Sequence, residues 1–444
     1  MNKEFQKKQN FFSFSDIDSE RKDRIMKFTS TEATPAPHVP PGVLRLTGAA
    51  KEDIPMYRIQ TMNKISPVGL NRFPSELYEV GDAVQDPQGI LVRSAKLLDL
   101  EFNPSLLAIA RAGVGVNNIP LDRCAAAGIP VFSTPGANAN AVKELVICAM
   151  LMGSRDIPGA IRWVREQAAS GVDVSTVVEK GKSAFIGPEL YKKTLGIIGL
   201  GAIGSIVANT AISLGMDVYG YDPFLSVDTA LRLDRHVHVV KDINDLYKRS
   251  DYITMHIHYT EKTAHMIDAD AIAAMKRGVR VINLARGEIV DDEAMLTALD
   301  TGMVAAYITD FPNNRLLTAP HVIAMPHLGA STPESEQNCA AMAVDTLRDY
   351  LENGNIRSSV NLPEMTMDRS GVQRLCVLHK NVPGMLANIT SLFGRDGVNV
   401  ENLSNKSRGD YAYTMVDLGS KVGDNVIEDV RRTANVIRVR SLEW

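Results

Sequence analysis

The sequence has few cysteines, no long hydrophobic run and no excess of positive charge, and each absence excludes a class of protein. Its four cysteines (Cys124, Cys148, Cys339 and Cys376) lie too far apart for a metal or redox motif, so we expect reduced, buried thiols in a cytoplasmic protein without a metal site. No apolar run approaches the roughly 20 residues that span a bilayer, and the N-terminus lacks a signal-peptide core. The net charge of −4 gives no reason to expect a nucleic acid or membrane partner.

The chain has ample material for a folded core. Its 444 residues, 45% of them hydrophobic, predict two or three domains. Residues 1–55 include the stretch "TSTEATPAPHVPPGV" and are predicted to be a flexible extension, with Met56 opening the folded part. Residues 56–155 and, more clearly, 156–326 alternate apolar strand-like runs with helical stretches. Strands without polar alternation, separated by helices, predict an α/β fold with two Rossmann-like, doubly wound parallel-sheet lobes.

The C-terminal part follows a different pattern. A long predicted helix, "PESEQNCAAMAVDTLRDYLENG", is followed by an apparent linker, "SVNLPEMTMDRSG". Residues 372–444 then give the strand and helix order βαββαβ. This order is typical of a ferredoxin-like domain, which we expect as a third, smaller unit.

A dinucleotide-binding pattern lies in "GIIGLGAIGSIVANTAISLGMDVYGYD". Gly199, Gly201 and Gly204 form G-x-G-x-x-G between a strand and a helix, where glycines allow a tight turn and close approach of a pyrophosphate. Asp222 ends the next strand and can accept from ribose hydroxyls, while its charge would repel a 2′-phosphate. The pattern therefore predicts NAD as cofactor, although glycines that serve packing alone can imitate it.

Several chemically useful side chains follow the predicted strands. Because parallel strands end at one edge of a sheet, we expect Arg286, Asp310 and His327 to lie near the dinucleotide. A histidine can take and return the proton of a substrate hydroxyl, and an arginine matches a carboxylate. Asp310 can accept from a carboxamide. The alternative for each is structural, because Arg286 and Asp310 are also suited to capping a strand end or turn and His327 to a simple turn.

Six segments together resemble the D-isomer-specific 2-hydroxyacid dehydrogenases: "ARAGVGVNNI", "STPGANANAVKELV", "GIIGLGAIG", "GYDP", "NLARGEIVD" and "MPHLGAST". The resemblance runs from about Met56 to the C-terminus. It implies a substrate-binding lobe from 56–155, completed by 327–362, and an NAD lobe from 156–326. The segment "LHKNVPGMLANITSLFGRDGVNV" resembles an ACT domain, which would occupy 372–444 and sense an amino acid.

The resemblance also implies roles for individual residues. With this terminal domain it points to oxidation of D-3-phosphoglycerate, with Arg286 holding the carboxylate and His327 acting as acid–base. Arg93, with Lys96 as a second candidate, would face the phosphate, and Asn138 matches a substrate-loop position. The positions that match cofactor contacts are Val114, Gly199, Gly201, Ala202, Ile203, Gly204, Asp222, Pro223, Ile257, Thr263, Leu284, Ala285, Asp310, Gly329 and Ala330.

The chain departs from the family at one catalytic position. The family usually places a glutamate shortly after the aspartate, where it stabilises the charged catalytic histidine. Here "TDFPNNRLL" has Asn313, Asn314 and Arg315 in that loop. Three outcomes stay open: the histidine works without a carboxylate partner, another acid serves, with Glu288 the nearest in sequence, or activity is reduced. His258 also stands where the family usually has proline.

Regulation and assembly are expected from the ACT-like segment. His379, Asn381 and Asn399 match positions that bind L-serine between paired domains in serine-inhibited relatives, so L-serine is the expected effector and a homo-oligomer the expected assembly. Ordinary turn chemistry is the alternative for "HKNVPG". Two other functions stay open: a dehydrogenase for another D-2-hydroxyacid, and a weakly catalytic nucleotide-sensing protein.

Overall fold

The computed structural model describes residues 56–444, and the predicted N-terminal extension lies outside the described residues. The first lobe is a five-stranded parallel sheet in the order β2-β1-β3-β4-β5, which confirms the predicted α/β architecture. Its strands are β1 (Tyr57–Met62), β2 (Tyr78–Gly81), β3 (Gly89–Val92), β4 (Ala108–Arg111) and β5 (Val131–Phe132), with short helices α1 (Pro67–Leu70) and α2 (Leu121–Ala126).

Two long helices tie the first lobe to the second. Helix α3 (Ala139–Arg155) leaves the first lobe and buries Val146 and Met150 against the second sheet. It leads into α4 (Ile157–Ala169) and α5 (Val174–Gly181). After the second lobe, α11 (Pro333–Asn353) returns and buries one face against the first sheet. The chain therefore crosses twice, so the first lobe is built from both sides of the second.

The second lobe is a seven-stranded parallel sheet in the order β12-β11-β10-β9-β6-β7-β8. Its strands are β6 (Thr194–Ile198), β7 (Asp217–Tyr221), β8 (Val237–Val240), β9 (Tyr252–Met255), β10 (Val279–Asn283), β11 (Val304–Thr309) and β12 (Val322–Ala324). The helices between them are α6 (Ala202–Ser213), α7 (Val227–Arg232), α8 (Ile243–Arg249), α9 (Ala269–Ala273) and α10 (Asp292–Asp300). The sequence patterns did not predict β8, an edge strand with half of its residues exposed.

The terminal domain has the predicted ferredoxin-like order. An antiparallel sheet, β14-β15-β13-β16, is built from β13 (Gln373–Lys380), β14 (Val400–Arg408), β15 (Tyr411–Leu418) and β16 (Val436–Glu443). One face carries α12 (Met385–Arg395) and α13 (Asp424–Arg432) in a separate core. The other face contributes Cys376, Tyr413 and Leu442 to the core of the first lobe. The terminal domain is thus packed directly on that lobe.

Two details differ from what the sequence suggested. The apparent linker is packed, because Leu362, Met365 and Met367 are buried in the core shared by the first lobe and the terminal domain. Cys148 is exposed on α3, whereas the other three cysteines are buried as predicted. Within residues 56–444, no helix is long and apolar enough to cross a membrane.

Candidate functional site

The second sheet brings the predicted polar positions to one edge. Its seven strands are parallel, so their carboxyl ends face the same way. The residues that follow them are Gly199 after β6, Asp222 after β7, His256 after β9, Arg286 after β10, Asp310 after β11 and His327 after β12. All six positions therefore lie at the carboxyl-end edge of the second sheet.

The three motif glycines differ in what a Cβ atom would meet at each position. Gly199 has φ of +90°, and a Cβ there would lie 2.6 Å from the carbonyl oxygen of His256. A Cβ on Gly204 would lie 1.9 Å from the carbonyl oxygen of Gly199, so this glycine permits close helix–strand packing. A Cβ on Gly201 would meet nothing within 4 Å. Gly201 therefore borders open space at the start of α6, where a phosphate can approach bare backbone.

The surroundings of Asp222 fit a ribose site. One carboxylate oxygen accepts from the backbone N–H of Leu200 at 2.9 Å, and the other accepts from Phe224 at 2.9 Å. These bonds fix the carboxylate beside the glycine turn and leave further lone pairs for hydroxyl donors. No side chain caps the first N–H groups of α6, so they are available to an anion. The residues present at this edge fit a dinucleotide.

Asp310 supplies an unpaired acceptor. Its side chain is 1% exposed, and its Oδ1 has no hydrogen-bond partner within the described residues. The other oxygen, Oδ2, accepts from the backbone N–H of Gly329 at 3.3 Å. Burial raises the pKa of the Asp310 carboxyl, whereas the nearby His327 and the N–H groups of Gly329 and Leu328 oppose that shift. A buried acceptor without a partner is costly, so Oδ1 is poised for an amide donor of a bound ligand.

Arg286 and His327 meet at one aromatic ring. The rings of Phe311 and His327 lie 4.7 Å apart, and the Arg286 guanidinium carbon lies 5.9 Å from the Phe311 ring centre. Asn283 donates to the Arg286 carbonyl at 2.8 Å, which fixes the backbone there. A Cβ on Gly115, in the first lobe, would lie 3.2 Å from the Arg286 Nη2 atom. Arg286 therefore reaches across from the second lobe to the first.

Further arginines of the first lobe join Arg286. Arg93 follows β3 and Arg111 ends β4, and the Arg111 Nε donates to the Arg93 carbonyl at 3.0 Å. Burial lowers the pKa of Arg111, and the like charges of Arg286 and Arg93 add to that effect against the opposing influence of Cys339. Arg93 also forms an ion pair with Glu336 of α11. Arg93 and Arg286 thus lie near Arg111, and Arg286 links this group to Phe311 and His327.

The substrate-loop position Asn138 lies just before α3, in a loop that touches the second lobe. A Cβ on Gly136 would lie 3.2 Å from the Cβ of Ala202. The buried Asn138 Oδ1 has no partner within residues 56–444, and neither has the buried Thr134 Oγ1. Polar atoms without partners thus occur on both sides of the junction between the lobes.

The loop that usually carries the catalytic glutamate turns away from the histidine. Asn313 donates to Asp292 at 2.6 Å, and Arg315 pairs with Glu293, so both side chains face the start of α10. Asn314 and Glu288 are exposed. Across the described part of the chain, the imidazole of His327 has no hydrogen-bond partner, and the ring itself is exposed. No residue of this loop takes the place of the missing glutamate.

Most of the other cofactor positions named from the resemblance follow strands of the second sheet, whereas Val114 follows β4 of the first sheet. Val114 and Ile257 are partly exposed, Thr263 accepts from the N–H of Thr260 at 2.8 Å, and Leu284 and Ala285 are buried below Arg286. Pro223 follows Asp222, Ala202 and Ile203 begin α6, and Ala330 follows Gly329. The described residues contain no cluster suited to a metal ion, and the exposed Lys96 forms no ion pair among them.

The three expected effector positions are bonded within the terminal domain. His379 is 2% exposed, with one ring nitrogen 2.8 Å from the Lys380 carbonyl and the other 2.8 Å from Thr414 Oγ1. The Asn381 amide donates to the Gly409 carbonyl at 3.1 Å, and Asn399 donates to Glu401 at 2.9 Å. These side chains therefore already have partners in the absence of a ligand.

The sequence reasoning missed three residues of this site: Arg111, Phe311 and Glu336. Arg111 ends a parallel strand, so the strand-end argument applied to the first sheet would have found it. Phe311 directly follows Asp310, yet an aromatic residue in a loop gives no signal of two polar neighbours. Glu336 lies 243 residues from Arg93, and only the packing of α11 on the first lobe brings them together.

Comparison with known proteins agrees with the fold and the motifs. Residues 147–329 match the family model described as "D-isomer specific 2-hydroxyacid dehydrogenase, NAD binding domain". The chain is 36% identical over 326 residues to the D-3-phosphoglycerate dehydrogenase of Synechocystis, covering 71% of this chain but only 56% of that protein. It is 32% identical over 380 residues to the enzyme of that name from Escherichia coli K12, covering 82% of this chain and 89% of that protein.

A solved structure adds a similarity in three dimensions. The NAD⁺-bound 3-phosphoglycerate dehydrogenase of Entamoeba histolytica is 26% identical, with a TM-score of 0.53, and the match covers 69% of this chain and 99% of that one. The sequence match to the Escherichia coli protein extends over most of both chains. The chain therefore contains an NAD-binding domain and belongs to the D-isomer-specific 2-hydroxyacid dehydrogenase family.

Proposed function

We propose that this protein is an NAD-dependent dehydrogenase that oxidises D-3-phosphoglycerate to 3-phosphooxypyruvate. The observation that carries the proposal is the meeting of Arg286 and His327 at Phe311, at the sheet edge that also carries the glycine turn. The curated relatives named D-3-phosphoglycerate dehydrogenase support this substrate.

Arg286 and His327 have different roles in the reaction. Arg286 holds the substrate carboxylate through its planar guanidinium and keeps the reacting carbon beside His327. His327 accepts the hydroxyl proton as the carbonyl forms, and the reverse reaction returns it. Bound NAD⁺ supplies the acceptor for the hydride that leaves the same carbon.

The cofactor is held by the glycine turn and by two carboxylates. Gly201 and the first N–H groups of α6 bind the pyrophosphate, and Asp222 accepts from the ribose and disfavours a 2′-phosphate. Asp310 accepts from the carboxamide through its unpaired Oδ1. The remaining cofactor positions line these groups at the strand ends.

Arg93 distinguishes the proposed substrate from other D-2-hydroxyacids. It lies in the first lobe, where the phosphate of the substrate would face Arg93 and the neighbouring Arg111. Asn138, with a buried unpaired Oδ1, is a second candidate contact. A D-2-hydroxyacid without a phosphate would offer Arg93 no anionic group at that end.

The test is an assay of purified protein with NAD⁺ and D-3-phosphoglycerate, followed by NADH absorbance. We expect turnover, and an Arg93→Ala variant should raise KM for D-3-phosphoglycerate far more than KM for D-lactate. Turnover of other D-2-hydroxyacids but not of D-3-phosphoglycerate would reject the proposed substrate. Binding of NAD⁺ without turnover of any of them would favour a nucleotide-sensing protein, for which the unpartnered His327 is the supporting observation.

Regulation by L-serine and assembly into a homo-oligomer are further parts of the proposal. The resemblance to ACT domains supports them, but a ligand at His379, Asn381 and Asn399 would have to replace their present hydrogen bonds. Calorimetric titration of L-serine into the full-length protein should give a saturable heat that Asn399→Ala reduces and Asn425→Ala, an exposed control on α13, does not. Light scattering of the same samples measures the oligomeric state.

A further inference from the structure

The arginine cluster has one carboxylate in contact with it. Within residues 56–444, Arg111 and Arg286 form no ion pair, whereas Arg93 is paired with Glu336. Both side chains of this pair are 43% exposed, so the carboxylate sits at the solvent-facing side of the cluster. The contact uses a single guanidinium nitrogen, Nη2, and leaves the other N–H groups of Arg93 available.

Glu336 is fixed by the helix that carries it. Helix α11 begins at Pro333, with Thr332 as its cap, and the Thr332 hydroxyl accepts from the N–H of Ser335 at 3.1 Å. Beyond Glu336, the helix is anchored by Cys339, Ala340 and Ala343 in the core of the first lobe. The carboxylate therefore stays near Arg93 even when another anion binds there.

We propose that Glu336 is a specificity-determining residue that competes with the substrate for Arg93. This inference rests on the proposed function, because it concerns the site that would hold the substrate phosphate. A phosphate dianion has the charge to displace a half-exposed carboxylate from the guanidinium. A weakly charged or neutral group cannot do so, and it leaves the Arg93–Glu336 pair intact. Glu336 thus lowers the affinity of Arg93 for the substrate phosphate and leaves the binding of a substrate without an anionic group at that end unchanged.

The experiment compares Glu336→Gln with Glu334→Gln. Both residues are exposed acids in the first turn of α11, so each variant removes one charge from the same helix start, but Glu334 forms no ion pair within the described residues. We expect Glu336→Gln to lower KM for D-3-phosphoglycerate about two- to fivefold relative to KM for D-lactate, the range of a half-exposed ion pair. Glu334→Gln should leave that ratio unchanged.

A double-mutant comparison locates the effect. In an Arg93→Ala background, Glu336→Gln should no longer change the ratio, because the group for which the substrate and the carboxylate compete is gone. An unchanged or raised ratio in the single variant, or an equal effect with and without Arg93, would overturn the inference.

A binding measurement separates this inference from the proposed function. Inorganic phosphate is titrated against the NAD⁺-bound protein, with thermal stabilisation as readout. Tighter phosphate binding by Glu336→Gln than by wild type supports the competition even if D-3-phosphoglycerate is not turned over, a result that would reject only the proposed function. Equal phosphate binding by the two proteins would overturn the competition while leaving turnover as evidence for the proposed function.

Discussion

The dinucleotide edge of the second sheet and the effector positions of the terminal domain differ in how their polar atoms are satisfied. At the dinucleotide edge, Asp310 Oδ1 is buried without a partner and Gly201 borders open space. In the terminal domain, His379 has partners for both ring nitrogens. Because an unpaired buried polar atom costs folding free energy, its presence indicates a group reserved for a ligand. The comparison thus favours binding at the first region, whereas a ligand at His379 would have to replace hydrogen bonds that the folded domain already makes.

The largest expected effect concerns His327, the proposed acid–base at the dinucleotide edge. We expect His327→Gln to lower kcat for hydroxyacid oxidation by about 100- to 10,000-fold, because the hydroxyl proton then lacks an acceptor. The affinity for NAD⁺, measured by calorimetry, should change little. A His327→Gln variant that keeps the wild-type kcat would contradict the assignment of His327. The control is His379→Gln, which changes a histidine of the terminal domain instead.

The next prediction tests the structural role of the terminal domain. Arg374 and Asp417 form a fully buried bidentate pair, at 2.6 and 2.7 Å, and Arg374 also donates to backbone carbonyls of Asn353, Met367 and Asp368. We expect Asp417→Ala to lower the free energy of unfolding by about 3–5 kcal/mol, because it leaves a buried charge unpaired. Urea unfolding measures the loss.

The matched control for this pair lies on the surface of the first lobe. Arg72 and Asp345 form a pair whose side chains are 47% and 46% exposed. Because solvent screens it, Asp345→Ala should cost no more than about 1 kcal/mol. Equal losses from Asp417→Ala and Asp345→Ala would show that the buried Arg374–Asp417 pair contributes no more to stability than an exposed pair.

At the dinucleotide edge, His256 should make the stability of the protein depend on pH. Burial lowers the pKa of His256 to about 4, and its Nε2 lies 3.2 Å from Thr254 Oγ1. An unfolded histidine binds a proton near pH 6.5, so between about pH 6.5 and 4 the unfolded chain takes up a proton that the folded one does not. Stability should therefore fall as the pH falls through this window, by about 1–3 kcal/mol for this partly exposed ring.

The variant His256→Gln isolates that contribution. The difference in unfolding free energy between wild type and variant should shrink from pH 7 to pH 4, because other titrating groups are shared by both proteins. Urea unfolding at several pH values gives this difference directly. A difference that stays constant across the window would mean that His256 is protonated equally in the folded and unfolded states.

The smallest expected effects come from substitutions at Gly204 and Gly201, two glycines of the dinucleotide motif. Gly204→Ala would place a Cβ 1.9 Å from the Gly199 carbonyl oxygen, so we expect a loss of stability of about 1–3 kcal/mol. Gly201→Ala meets no protein atom within 4 Å and should fold normally, but its methyl group enters the space proposed for the pyrophosphate. Its affinity for NAD⁺ should fall about tenfold, or about 1.4 kcal/mol. Unchanged NAD⁺ binding in Gly201→Ala would place the pyrophosphate elsewhere.

Much of the fold and part of the site could be predicted along the chain. Most parallel strands of the second lobe are apolar runs in the sequence, such as Tyr252–Met255, whose four residues are all buried. The polar edge strand β8 gave no such signal. The apparent linker after α11 was wrong for a similar reason, because single buried residues such as Leu362 and Met365 do not form a periodic pattern.

The sequence by itself determined the local features of this protein: the glycine turn at Gly199 to Gly204, most strands of the second parallel sheet and the βαββαβ order of the terminal domain. These depend on neighbouring residues, because backbone freedom and hydrophobic periodicity act over a few positions. Only the tertiary structure decided that Glu336 pairs with Arg93, that Asn313 turns toward α10 and that the terminal sheet seals the first lobe. Those contacts join segments far apart in sequence, and their geometry is set by packing, which no local pattern records.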